Sequence, residues 1–185
     1  MESGKKKEQR LAEFKMGDPK KQRKKFSNPS HPWQRERIAA EREILKQYGL
    51  RRKYEIWKMD SMMKKFLHRA KTIIGEKTSQ SELEKKQLLS RLYLLGMLKK
   101  DSKVEDVLNL TLKDILERRL QTLVCRKQIA KTMRQAREFI THEHIAVSNK
   151  KITTPSYLVS IEEEPLIRLT RPIKIDTVQE QKKEA

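Results

Sequence analysis

Between Arg118 and Arg137 the chain places seven cations: Arg118, Arg119, Arg126, Lys127, Lys131, Arg134 and Arg137. Guanidinium groups present forked donors matched to phosphate oxygens, so this density suits the gripping of a polyanionic backbone. Other candidate chemistry is sparse. His142-Glu143-His144 puts two imidazoles at i and i+2, whereas the zinc-binding His-Glu-x-x-His pattern needs i and i+4 on one helical face. His142 is read instead as an RNA contact or a cation ending a helix. Cys125 lies beside Arg126 and Lys127, but no histidine is spaced to act as its base; it is expected to be a small, partly buried residue. The glycines at positions 4, 17, 49, 75 and 96 form no phosphate-cradling loop. We therefore expect no catalytic residues, no metal and no cofactor.

The elements that must hold those cations can be read from periodicity. Leu116, Leu120, Leu123 and Val124 recur at helical spacing and predict one helix ending near Arg126. Thr132-Met133-Arg134-Gln135 has capping-box form, so a second helix should start at about Met133, with Met133, Ala136, Phe139 and Ile140 on one side. Lys131, Arg134 and Arg137 then surround its N-terminal end, where free N–H groups already favour anions. Beyond Thr141 the period alternates: Ile145, Val147 and Ile152 point one way across a tight Ser148-Asn149-Lys150-Lys151 turn, with Asn149 expected at the positive-φ position. Pro155 should start or edge a strand over Ser156–Val159.

The run Leu116-Glu117-Arg118-Arg119-Leu120-Gln121-Thr122-Leu123-Val124, then Thr132-Met133-Arg134-Gln135-Ala136-Arg137, His144-Ile145-x-Val147 and Pro155-Ser156-Tyr157-Leu158-Val159, resembles the ribosomal protein S-four family of the small subunit. The form it resembles is archaeal and eukaryotic, numbered S-nine in eukaryotes. Similarity extends upstream to Met16-Gly17-Asp18-Pro19-Lys20-Lys21, which is like that family's usual start, so nearly the whole chain is covered. The resemblance implies a primary binder of small-subunit ribosomal RNA that nucleates assembly of the subunit's body. It also implies contacts with neighbouring ribosomal proteins and with mRNA near the channel through which it enters, and a contribution to accuracy. Three departures stand out. Gln128 occupies the place of a loop glycine, Ser148-Asn149 replaces Asn-Gly, and Met1 to Lys15 precedes the usual start, either as a genuine basic extension or as a start placed too early.

Composition bounds the rest. A chain of 185 residues with 36% hydrophobic and 37% charged residues has a thin core, and a net charge of +19 calls for a polyanionic partner. The lone cysteine fits a reducing cytosol, and no apolar run approaches the roughly 20 residues of a membrane span; a cytoplasmic protein without a membrane partner is expected. Residues 1–30 read as a basic arm carrying Lys20, Lys21, Arg23, Lys24 and Lys25, with Phe26 and Trp33 able to stack on bases. Residues 31–110 read as a helical domain. Pro32 should open its first helix and Gly49 close it. A longer amphipathic helix to Gly75 carries Arg51, Arg52, Lys64, Lys65 and Arg69 on its polar faces, and Leu50, Tyr54, Trp57, Met63, Phe66, Ala70 and Ile73/Ile74 inside.

Ser79-Gln80-Ser81-Glu82 and Ser102-Lys103-Val104-Glu105 read as further capping boxes, and Thr111 to Asp114 as a weaker one. Leu83, Leu88, Leu89, Leu92 and Leu95 are expected inside. Residues 111–170 form the RNA-binding module, in which Lys150 adds a cation. Glu162-Glu163-Glu164 should face solvent or a neighbouring protein, Leu166, Ile167 and Leu169 form a last strand, and 171–185 a tail. The fold class is α+β: a mainly helical N-terminal domain plus a small module of two basic helices packed on a short antiparallel sheet. Rival readings are a helix-turn-helix DNA-binding protein, which lacks an Asn/Gln pair placed to read adenines, and a subunit of an RNA-modifying enzyme, whose catalytic domain this chain has no room to hold.

Overall fold

The computed structural model describes residues 23–76 and 78–170. Lys20 and Lys21, the rest of the arm before Arg23, and the 171–185 tail lie outside the described residues. Three longer helices, α1 (Arg35–Gln47), α2 (Lys53–Gly75) and α3 (Ser79–Leu94), are followed by the short α4 (Val104–Val107) and α5 (Leu112–Glu117). Then come α6 (Leu120–Arg126), α7 (Met133–Thr141), β1 (Ile145–Val147), β2 (Lys150–Lys151), a 3₁₀ turn over Glu164–Leu166 and β3 (Ile167–Leu169). The sheet is antiparallel in the order β2-β1-β3, with Val147 opposite Lys150 on one side and Ile167 on the other. The chain is α+β, with helices preceding a three-stranded sheet.

Three apolar clusters run through it. Phe66, Ala70 and Ile73 of α2 pack with Leu88 and Leu92 of α3 and with Val104 and Val107. Tyr48, Leu50, Ile56 and Met59 close against Ile115 and Leu116. The third joins Leu120 and Val124 of α6, Ala136 and Ile140 of α7, and Ile145, Val147, Val159 and Ile167 around the sheet. α2 belongs to two of these clusters, so it is the beam on which the module is mounted. Leu83, Tyr54 and Ile74, expected inside, are instead 55%, 41% and 47% exposed.

Several local expectations are corrected. α1 begins at Arg35 and not at Pro32: Arg37 Nη2 donates to the carbonyls of His31 (2.9 Å) and Pro32 (2.8 Å), holding that segment as a turn. Thr78, not Ser79, caps α3: its hydroxyl accepts from Ser81 N at 3.2 Å while the Ser81 hydroxyl accepts from Thr78 N at 3.1 Å. Ser81 is buried and Glu82 exposed, so the apolar face selects the frame that puts the hydroxyl inward. For α4 the N-cap is Lys103, whose N–H donates to Asp106 at 2.8 Å. Thr111 does cap α5, with Asp114 accepting its N–H at 2.8 Å.

The helix expected to run through Leu116 and Leu120 is broken at Arg118-Arg119. The 155–159 segment inserts there: Tyr157 O accepts from Leu120 N (2.8 Å), Pro155 O from Gln121 N (3.4 Å) and Arg118 O from Val159 N (3.0 Å). The Tyr157 and Pro155 carbonyls satisfy N–H groups that the start of α6 leaves open. The segment is not a full strand, since only Leu158 bridges, to Arg119. At the hairpin, Ser148 and not Asn149 takes positive φ, at 57°. Gln128, where the family that the sequence resembles has a glycine, also takes the left-handed conformation, at φ 60°. The backbone there keeps a shape suited to glycine although the side chain has changed.

Candidate nucleic-acid interface

The N-terminal end of α7 is capped by Thr132 as predicted, but the Gln135 half of the capping box is displaced by one residue. The Thr132 hydroxyl accepts from Gln135 N at 3.2 Å, and the Gln135 side chain accepts from Lys131 N at 2.8 Å, one residue before the cap. This end faces the loop after α1. Gly49, at φ 57°, lets the chain turn so closely that a Cβ there would lie 2.6 Å from Met133 Cβ. Gln121, 1% exposed, fastens the approach by donating to Tyr48 O (3.3 Å), Gly49 O (3.2 Å) and Met133 O (2.9 Å). Between the two elements runs a groove of about 840 Å³, lined by Lys46, Gly49, Arg51, Thr132, Arg134 and Arg137. Arg51, Lys46 and Arg134 are exposed on it.

The seven cations of the module do not act alike. Arg119 is 1% exposed, and its Nη2 donates to Glu55 Oε2 at 2.9 Å. Arg137, half-buried, also reaches Glu55, with Nη1 and Nη2 at 3.3 and 3.2 Å from its two oxygens. Burial pushes the Glu55 carboxyl up, but the hydrogen bonds and charges of both arginines prevail and hold it below the usual carboxylate range. Arg119 is thus a structural cation rather than a phosphate contact. Arg118 is likewise engaged, by Glu164 at 2.8 Å and Val159 O at 3.2 Å, and Gly96 leaves room for its guanidinium. Lys127 donates to the Glu164 carbonyl.

The acidic run is therefore partly internal, contrary to expectation: Glu164 holds Arg118, and Glu163 accepts from Tyr157 Oη at 2.8 Å and Ser160 N at 3.1 Å. Arg126 stays exposed while pairing with Glu117 at 3.0 Å. Glu117 also accepts from Tyr48 Oη at 2.9 Å.

Arg134, Arg137 and Arg51 thus meet in the groove, with exposed Lys131 just ahead of the Thr132 cap. The other candidates do not join them. His142 lies exposed at the opposite end of α7, about 12 Å away at 1.5 Å per residue, and Lys150 is exposed on β2. Arg52 packs 5.9 Å from the Tyr54 ring centroid, Lys64 pairs with Asp60 at 2.7 Å, and Arg69 faces α3 beside Glu84 and Arg91. Lys65, Arg23, Lys24 and Lys25 are exposed. Phe26 does not stand free for stacking: it sits 6.1 Å from Tyr54 and 6.0 Å from Trp57, tying the arm's end to α2. Lys46 and Glu55 were missed from sequence. Glu55 could have been found, because an acid at i−4 from Met59 falls on the apolar stripe of α2. Among the described residues, no group of three or more His, Cys, Asp or Glu could hold a metal ion, and no helix is long and apolar enough to cross a membrane.

Comparison with known proteins decides the family. Residues 118–164 match the S4 domain. The small ribosomal subunit protein uS4 of Saccharolobus solfataricus is 49% identical over 153 residues, covering 82% of this chain and 84% of the relative. The chain belongs to the small ribosomal subunit protein uS4 family. A second uS4 protein, from Saccharolobus islandicus, is 48% identical over the same length. In this uS4 chain the matched domain begins at the helix break at Arg118-Arg119 and ends at Glu164, which pairs with Arg118. One ion pair therefore closes the domain end to end.

Proposed function

We propose that this chain is a structural constituent of the small ribosomal subunit, in the cytoplasm, and binds its RNA through the groove between the Gly49 loop and the N-terminus of α7. The observation that carries this reading is the convergence of Arg51, Lys46 and Arg134, exposed, on a helix end whose capped N-terminus already favours anions. Membership of a family whose relatives are named small-subunit ribosomal proteins gives the class of RNA. Arg137 lies at the floor, pinned by Glu55, and Lys131 at the rim. Arg126, Lys127, His142, Lys150, Arg52, Lys64, Lys65, Arg69 and the arm cations Arg23, Lys24 and Lys25 are outlying contacts to other parts of the same RNA.

Phosphate contacts fix orientation without reading bases, so recognition is by the shape of a pre-folded junction. In this role the chain is a primary RNA binder that nucleates assembly of the subunit's body, touches neighbouring ribosomal proteins and stands near the channel through which mRNA enters, where it bears on accuracy. Residues 31–110 serve as the mounting and 111–170 as the docking unit. The role needs no catalytic residue or cofactor.

The test is binding of the full chain to small-subunit ribosomal RNA across a salt series. Replacing Arg51 and Arg134 by Ala should weaken binding and lower the slope of log K against log salt by about two units, one per lost phosphate contact. Neither side chain has an ion-pair partner among the described residues, so the fold should be unaffected. An unchanged slope would remove the groove assignment, and preference for duplex DNA at matched salt would favour the helix-turn-helix reading.

A further inference from the structure

Trp33 is 90% exposed, more than any other large hydrophobic residue among the described residues. Its position is nonetheless fixed. Arg37 Nη2 clamps the carbonyls of His31 and Pro32, while Nη1 is held by buried Glu41 at 2.6 Å. Glu41 in turn accepts from Trp57 Nε1 at 2.9 Å and pairs with Lys53 at 3.2 Å. Upstream, the Phe26 stack on α2 and a bond from Ser27 N to Ser61 Oγ at 3.2 Å anchor the other end of the loop. The indole therefore projects from a braced turn rather than from a loose arm. Pinning a backbone while leaving its largest ring in water gains nothing for the fold, since burial would stabilise it.

The surroundings indicate what covers the ring. Exposed Arg35 is two residues on, and exposed Arg23, Lys24 and Lys25 precede the Phe26 anchor at the other end of the same loop. Exposed cations on both sides of a flat aromatic surface along the chain complement a strand of alternating phosphates and bases. We propose that Trp33 is a stacking site for an unpaired nucleobase of the RNA that the chain binds. This rests on the function proposed above and adds a contact at the far end of α1 from the groove. A guanidinium-lined groove holds phosphates, whereas the indole takes a base and contributes independently of salt.

The experiment uses the full chain and small-subunit ribosomal RNA. W33A should weaken binding by roughly tenfold, in the range found for loss of one stacked base, with the salt slope unchanged. W33F should retain most of the affinity. RNA should quench part of the wild-type tryptophan emission, and that part should be absent in W33F, where Trp57 alone reports. Thermal melting of W33A at the wild-type temperature excludes a folding defect. Unchanged affinity of W33A, while R51A/R134A is weakened, removes the stacking site and leaves the groove intact. A blue shift of Trp33 emission on adding ribosomal proteins, with no quench by RNA, overturns the proposal in favour of a protein partner. A wild-type chain that fails to bind the RNA at all removes both readings.

Discussion

Glu55 is the residue on which the groove beside α7 depends without touching what the groove is proposed to hold. Its carboxylate is shared by Arg119, buried, and Arg137, at the groove floor. Removing a buried countercharge strands its partner, and two Arg119 nitrogens already lack hydrogen-bond partners. E55Q should lower stability by about 3 kcal/mol, read as a drop in urea midpoint with unchanged m value. The same carboxyl, held below its ordinary range, contributes stability above its unfolded pKa, and that contribution is lost as pH falls through the folded value. E55Q should therefore flatten the acid limb of a stability profile. A density of arginines was legible in the sequence; the division of labour among them was not. Arg118 and Arg134 look alike as letters, and only the partner 46 residues away, Glu164, makes the first of them structural.

At the scale of elements, the approach of α7 to the loop after α1 sets the groove's width. Gly49 combines positive φ with a Cβ position 2.6 Å from Met133 Cβ, so G49A meets both a strained backbone and a collision. It should cost about 2 kcal/mol or more, seen as a lowered melting temperature, and should weaken RNA binding in proportion to the displaced helix. Gly49 as a helix end and Thr132 as a cap were readable, because they rest on local chemistry; β1 was readable as a strand, but Ile145, Ala146 and Val147 are all buried where alternation was expected. The break at Arg118-Arg119 was not, because the apolar spacing of Leu116, Leu120 and Leu123 continues across it. What interrupts the helix is the 155–159 segment, whose carbonyls compete for the N–H groups of Leu120 and Gln121. Long-range competition of this kind leaves no mark on periodicity. Gln128 gives the converse case: the departure from glycine was visible, yet the turn kept its positive φ.

For the molecule as a whole, a chain of net charge +19 has its described residues gathered on three small apolar clusters, and buried ion pairs and hydrogen bonds run among them. Tyr48 is one such joint, 2% exposed, with its hydroxyl on Glu117. Burial, and then the adjoining Glu117, push its pKa up to about 12 from 10. The folded state therefore holds this proton more tightly than the unfolded chain. Stability from this group is fully present below pH 10 and is lost as pH rises toward 12. A profile of urea midpoint against pH should show that alkaline loss, and Y48F should remove it while leaving the acid limb unchanged.

The shared carboxylate also sets an order on biosynthesis. Glu55 leaves the translating machinery 64 residues before Arg119 and 82 before Arg137. In a growing chain its side chain must stay hydrated, and that face of α2 wet, until both guanidinium groups have emerged. Closure of the groove and drying of that face of α2 then both await the appearance of Arg137.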